Sequence, residues 1–312
     1  MTISECAVIV RPGEHACCRF AHAEDRVRVA RCFVRAGLQR GEKVLYAAAR
    51  KDVGGFAARL ARDGGFACAM RSGQLDVRDA RELYTPGGSF DGERLLDRLT
   101  AEHRRALAQG YSGLSATSEM DWALDSADGA RDLVAYERGL GRRTGAGTVA
   151  LLCQYDHARF PASTLREVAA AHDADISPEL QAFGRDDRLA AARIGGGVDA
   201  VLRLSGHLDL ECADTLAGVL GAHFHGRLRL DLAGVDFADV TGMRALRGRT
   251  AQPLEIVAAS ETVHRLLRLL AWDTDPNIDA PALPFDTGGA MSDRGRPRSL
   301  GMRSAATLVA DD

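Results

Sequence analysis

Ala200–Leu220 reads AVLRLSGHLDLECADTLAGVL, Leu228–Leu246 reads LRLDLAGVDFADVTGMRAL, and Leu254–Asp273 reads LEIVAASETVHRLLRLLAWD. The first two stretches share one plan: an apolar strand, a short polar turn, then a helix. The turn Ser205–Asp209 ends on Asp209, which can cap the helix after it, and Asp239 stands in the same relation to the next helix. An aspartate there accepts hydrogen bonds from the free N–H groups of a first helical turn. The third stretch closes on an amphipathic helix with apolar residues at helical spacing from Val263 to Leu270. Working outward, strands are expected at Leu189–Ile194, Val198–Leu204, Arg227–Leu232 and Leu254–Ala258. Helices are expected at Glu211–His223, Gly242–Arg247 and Thr262–Leu270, giving a small α/β module over residues 187–275.

Through Ser205-Gly206-His207-Leu208-Asp209, Leu230-Asp231-Leu232 and Asp239-Val240-Thr241-Gly242-Met243, in that order, the module resembles the STAS (anti-sigma factor antagonist) family. The resemblance implies a docking surface for an anti-sigma factor with serine-kinase activity, or for another STAS protein. In such antagonists the partner kinase phosphorylates the residue after the aspartate and so releases itself. Here that residue is Val240, which has no hydroxyl, and Thr241 is the neighbouring one. Thr241 is therefore either a substitute acceptor or simply part of the helix start. A phosphate in this turn would meet the positive end of a helix dipole and add close to two negative charges to a docking face. Asp209, Asp239 and Thr241 are the candidate docking and switch residues.

From Cys6 to about Pro178 short apolar runs alternate with amphipathic helices. Strands are expected at His15–Phe20, Lys43–Ala49, Gly113–Thr117 and Thr148–Tyr155, with a further short strand and turn within Gly73–Pro86. Helices are expected at Glu24–Gln39, Asp52–Arg62, Phe90–Gln109, Asp128–Leu140 and Phe160–His172. Strand alternating with helix implies a mostly parallel sheet covered on both faces. Residues 1–178 are read as one domain and 179–186 as a linker. Residues 276–312, rich in Pro, Gly, Ser, Asp and Arg, are read as a disordered tail that buries too little surface to offset its ordering entropy.

Several residue sets occur here in a consistent order: Gly13-Glu14-His15-Ala16-Cys17, Gly37-Leu38, Gly41–Tyr46, Ser118–Leu124, Cys153-Gln154-Tyr155-Asp156, Phe160 and His172. Together they resemble the MEDS family of sensory domains, which is distantly similar to RecA-like ATPase folds. The resemblance implies small-molecule sensing. The loop after the first strand, Ala21–Asp25, has no glycine or lysine and two acids, so it cannot cradle a phosphate. Nucleotide hydrolysis is not expected.

Open α/β sheets place ligand crevices at the carboxyl ends of their strands. On that basis the candidate sensing residues are His15, Cys17, Glu119, Trp122, Cys153, Tyr155 and Asp156, a set suited to a small, partly apolar molecule or a soft metal. Taken singly, Cys17, Cys18 and Cys153 read as ordinary buried cysteines. His15, Cys17 and Cys18 stand too close in the chain to be three ligands of one tetrahedral ion, and no paired Cys-x-x-Cys or His-x-x-x-His spacing occurs, so no metal site is assigned. Nucleophilic catalysis by Cys17 with His15 lacks a visible third, orienting group.

The bulk numbers are those of an ordinary globular chain. A chain of 312 residues accommodates two domains. The balance of 40 basic against 43 acidic residues argues against a general nucleic-acid binder. Arginines next to acids, as at Asp25/Arg26/Arg28 and Glu102/Arg104/Arg105, read as solvated helix faces. No stretch approaches a membrane span, the N-terminus lacks a signal-peptide pattern, and seven scattered cysteines do not form a disulfide framework. The sequence thus leads to a non-enzymatic cytoplasmic regulator, without cofactor, in which a sensor is joined to a STAS output. Two rivals stay open: an enzyme using Cys17 or His15, and a scaffold without sensing. Homo-oligomerisation is also open.

Overall fold

The computed structural model describes residues 10–49, 53–62, 64–86, 90–125, 129–144, 147, 149–178, 180, 188–195, 199–223, 227–247 and 253–280. In the first half the elements are β1 His15–Phe20, α1 Ala23–Gln39, β2 Lys43–Ala48, α2 Val53–Ala61, α3 Gly64–Ser72 and β3 Leu75–Asp79. They continue with α4 Ala80–Tyr84, α5 Gly92–Ala108, β4 Leu114–Glu119, a 3-10 turn Met120–Asp125, α6 Gly129–Thr144, β5 Val149–Asp156, α7 Ala162–Ala171 and β6 Ala174–Ile176. The second half comprises β7 Leu189–Ile194, β8 Val201–Leu208, α8 Leu210–His223, β9 Leu228–Ala238, α9 Val240–Arg247, β10 Leu254–Ala259, α10 Glu261–Leu269 and β11 Ile278–Asp279.

Strands β3-β2-β4-β5-β1-β6 run parallel. Their central members are buried along nearly their whole length, as expected where helices cover both faces. Alternation along β1 sorts its side chains. Cys17 points to the core under α5, α6 and α7, whereas Ala16, Cys18 and Phe20 pack beneath α1. A third core, under β2 and β3, is filled by Phe56, Leu60 and Phe66 from α2 and α3. The mostly parallel α/β class expected from the alternation is what the chain adopts.

The sheet does not stop at the end of the first half. Strand β6 pairs with β1 on one side and, antiparallel, with β7 on the other, through Ala174↔Ile194 and Asp175↔Arg193. Strand β7 pairs antiparallel with β8, and β8-β9-β10-β11 are parallel. One sheet of 11 strands therefore runs through both modules. Ala192 of β7 packs in the same core as Ala16 and Phe20 of β1. Leu180, inside the stretch read as linker, is buried in the core of the second module, and residues 181–187 lie outside the described ones.

Several sequence expectations change. Helix α3 follows α2 where none was expected. Residues 73–86 give β3 and then the helix α4 rather than a strand and a turn. The last strand begins inside the presumed tail: Ile278 pairs with Leu254 and is buried, so Ile278–Asp279 belong to the second module's sheet. The rest of the presumed tail, from residue 281 onward, lies outside the described residues.

Candidate functional site

The most unusual chemistry lies against β1 and β5. His15 opens β1, at its amino end and not the carboxyl end expected from the sequence, and its amide donates to the Asp173 carboxylate at 2.9 Å. Its Nε2 lies 3.4 Å from Cys153 Sγ on β5 and 3.0 Å from Glu137 Oε2 on α6. His172, just after α7, places its Nε2 3.4 Å from the same Glu137 oxygen, and the two imidazole centroids are 3.9 Å apart. Cys153 Sγ is 3.5 Å from Glu137 Oε2, and the Tyr155 hydroxyl donates to Glu137 Oε1 at 2.5 Å. The side chains of His15, Glu137, Cys153, Tyr155 and His172 are buried, whereas Asp173 is exposed.

Burial sets their protonation. It lowers His15 to about 4, against an opposing pull from Asp173, and lowers His172 to about 4 with help from His15. Burial raises Glu137, despite His172 and the bonds from Tyr155 and Cys153. It also drives the Cys153 thiol well up, reinforced by Glu137. Both imidazoles are therefore neutral near pH 7. His172 Nδ1 lies 2.6 Å from the Val168 carbonyl, which only accepts, so Nδ1 carries the proton and Nε2 a bare lone pair. That Nε2, like Nδ1 of His15, finds no hydrogen-bond partner among the described residues.

Cys17 stands apart from this exchange. Its Sγ donates to Asp175 Oδ1 at 3.2 Å, and burial together with Asp175 raises its thiol well above the ordinary range. Asp156 closes a turn by accepting from the Ala158 amide at 2.9 Å.

A second feature, a cleft of about 420 Å³, is lined by Ala49, Ala80, Arg81, Glu119, Asp121, Trp122 and Arg159, just past the carboxyl ends of β2, β3 and β4. Glu119 is paired with Arg26 and accepts from the Tyr46 hydroxyl at 3.1 Å, and Arg159 pairs with Asp121. Trp122 is stacked between Tyr84 and Phe90, with centroids 4.8 and 4.7 Å away, and its indole N–H lacks a partner among the described residues. Only Ala21 and His22 separate β1 from α1, whose first turn carries Glu24 and Asp25. The positive end of that helix already faces its own acids. A third feature, a cavity of about 50 Å³, lies between α5 and the sheet and reaches Cys153.

The sequence-derived sensing set therefore divides. His15, Cys153 and Tyr155 come together, while Glu119 and Trp122 line the separate cleft. Glu137 was missed by the sequence reading, because an acid on an amphipathic helix reads as solvated. His172 was noted only as part of an ordered pattern.

At the far end of the second module, Asp239 accepts from Gly242 N at 2.7 Å and from Leu210 N at 3.2 Å, so one carboxylate serves the starts of α9 and α8. Asp209 accepts from Glu211 N at 3.0 Å and pairs with Arg188 at 3.4 Å. Thr241 is exposed. Nearby in sequence or at the start of the neighbouring helix α8, Leu210, Phe237 and Val240 are 66%, 48% and 40% exposed.

Residues 14–173 match the family described as MEthanogen/methylotroph, DcmR Sensory domain. The chain belongs to the MEDS family. Residues 195–282 match a second family, described as Mlab, STAS domain, so the MEDS module is followed by a STAS module. That composition is one of a signalling regulator. No curated protein matches the sequence. Among solved structures, the flagellar accessory protein FlaH from Methanocaldococcus jannaschii is 16% identical, over 62% of this chain and 85% of that one, with a TM-score of 0.40. The KaiC-like protein PH0186 from Pyrococcus horikoshii OT3 is 10% identical, over 66% and 84%, with a TM-score of 0.39. No helix among the described residues is long and apolar enough to cross a membrane.

Proposed function

We propose that the protein is a non-enzymatic regulator in which the MEDS module senses a small molecule and alters how the STAS module presents its docking turn to an anti-sigma factor. The observation that carries this reading is the junction between the modules. Glu14, next to His15, accepts from Arg203 of β8 at 2.8 Å. Arg203 also donates to Asp231 of β9 at 3.0 Å, and Asp231 pairs with Arg11 at 2.9 Å. Strands β8 and β9 run on from this network to Asp209 and Asp239. A shift of the sensor's first strand thus bears on the two strands that end in the docking turns.

The exposed apolar residues Leu210, Phe237 and Val240, near Thr241 in sequence or at the start of α8, support docking there, since a hydrophobic centre with a polar rim is ordinary interface chemistry. Glu119 and the unpartnered indole N–H of Trp122 support the cleft as the small-molecule site. Against the enzymatic rival, the Cys17 thiol is held protonated, whereas a nucleophile needs the thiolate.

The test is a pull-down of a serine-kinase anti-sigma factor with wild type, Phe237→Asp, Thr241→Asp and Val240→Ser, with and without ATP. Wild type is expected to be captured in both conditions. Phe237→Asp and Thr241→Asp are expected to lose capture, because an unpaired charge at an apolar contact is costly. Val240→Ser is expected to lose it only with ATP. Equal capture in all lanes would remove the turn from consideration as the docking surface. For the sensor, quenching of Trp122 fluorescence in a Trp272→Phe background by a small apolar ligand, lost in Glu119→Ala, is the expected result.

A further inference from the structure

We propose that His15, Glu137, Cys153 and His172 form a closed four-ligand site for one divalent transition-metal ion of the zinc type. The inference is independent of what the STAS module binds. Donor atoms about 2.0–2.3 Å from a tetrahedral zinc stand about 3.3–3.7 Å apart. Four of the six edges of the candidate tetrahedron already measure 3.0, 3.4, 3.4 and 3.5 Å, and all four donor atoms lie within 4.8 Å of one another. The set comprises two imidazole nitrogens, a carboxylate oxygen and a sulfur, which suits a borderline ion rather than magnesium or calcium.

Three further details fit. First, the buried Nε2 of His172 faces the cluster as an unpartnered lone pair, while its Nδ1 is tied to the Val168 carbonyl, the usual way a ligating imidazole has its tautomer fixed. That Nε2 stands 3.4 Å from Glu137 Oε2 inside the core. Second, the Tyr155 hydroxyl occupies Oε1 of Glu137 and leaves Oε2, the atom common to three of the four short edges, for the ion. Third, one thiolate and one carboxylate with two neutral imidazoles would balance a dication, so the loaded site adds no net charge to the core. The small cavity under α5 has Cys153 in its lining. With four protein ligands and no open position, the site is of the structural or sensory kind, not a hydrolytic one.

The test uses the full chain with exposed Cys68 replaced by serine throughout, to remove an adventitious thiol. After EDTA treatment the protein is titrated with Co²⁺ and then Zn²⁺. One Co²⁺ per chain is expected, giving a thiolate-to-cobalt charge-transfer band and intense tetrahedral visible bands, with displacement by one Zn²⁺ and a higher melting temperature. Cys153→Ser is expected to abolish the charge-transfer band, and His172→Ala to weaken binding by roughly tenfold or more. Cys17→Ser, whose thiol bonds Asp175, is expected to keep both signals. A wild-type protein folded by circular dichroism that shows no cobalt–thiolate band overturns the proposal, and that arm does not depend on any ligand variant folding. A band that survives Cys153→Ser but is lost in Cys17→Ser overturns it equally.

Discussion

A methyl group on Gly242 would collide with the carbonyl oxygen and carbon of Leu208, both backbone atoms that cannot rotate aside. Helix α9, capped by Asp239, crosses so close to the end of β8 that only hydrogen fits at its third residue. Gly242→Ala should therefore cost about 3 kcal/mol in urea unfolding, the upper part of the overpacking range. A loss under about 0.5 kcal/mol would mean that α9 can withdraw without cost, and that the turn is softer than its contacts suggest. At this scale the sequence was readable where a residue's role is local. Asp209 and Asp239 are capping residues by their position before a helix. It was unreadable where burial decides. Glu137 lies in a helix of mixed polarity, and nothing in its neighbours along the chain reveals that β5 and α7 bury it against two histidines. His15 and Cys153 are 138 residues apart, so their contact exists only once β1 and β5 pair in register.

At the level of elements, Asp239 links two helices by capping both starts with one carboxylate. A single lost cap costs about 1 kcal/mol, so Asp239→Ala should cost about 2 kcal/mol. Asp239→Asn, which retains one accepting oxygen, should cost about half that. Thr241→Asp, exposed in the first turn of α9, should leave stability nearly unchanged, so its effect on partner capture is separable from folding. If Asp239→Ala and Asp239→Asn unfold alike, the second cap is idle. The end of α10 offers a gain. Ala271 follows it at φ 55°, in the left-handed region, where an alanine is strained and a glycine is not. Ala271→Gly should stabilise by about 0.5–1 kcal/mol, read as a higher urea midpoint with unchanged slope. Long helices such as α1 and α5 were legible because 17 residues repeat the helical period several times. Strands β6 and β11 have three and two residues, too few to show any period. They exist because neighbouring strands present unpaired edges, a tertiary cause that leaves no local signature.

At the scale of the whole molecule, β6 turns two modules into one sheet, and the chain from Arg11 through Asp231 and Arg203 to Glu14 locks them on the same seam. Burial alone would raise Asp231, but Arg11, the Ala233 amide and Arg203 outweigh it and hold the carboxyl below its ordinary 3.8. Such a depressed acid contributes stability that is fully present above its unfolded value and is lost as the pH falls through its folded one. Wild-type stability should therefore hold from pH 7 down to about pH 4 as far as this group is concerned, and fall below it. Arg203 is itself buried, raised above its ordinary range by Glu14 and Asp231 against the effect of burial. Arg203→Met keeps most of the side-chain volume but leaves Asp231 with Arg11 and the Ala233 amide, and takes from Glu14 its bond to β8. Removing one member of a buried ion network costs about 3 kcal/mol. Two consequences should appear together. The onset of acid unfolding should move toward higher pH, because Asp231 loses part of what depressed it. Calorimetry, which should give one cooperative transition for the wild type, should give two for the variant, because the pairing of β6 with β7 is short and the network is its reinforcement. If Arg203→Met keeps a single transition and an acid limb parallel to wild type, the modules are held by strand pairing and the Ala192 core alone. The path from His15 to the docking turns would then have to run through β6 and β7.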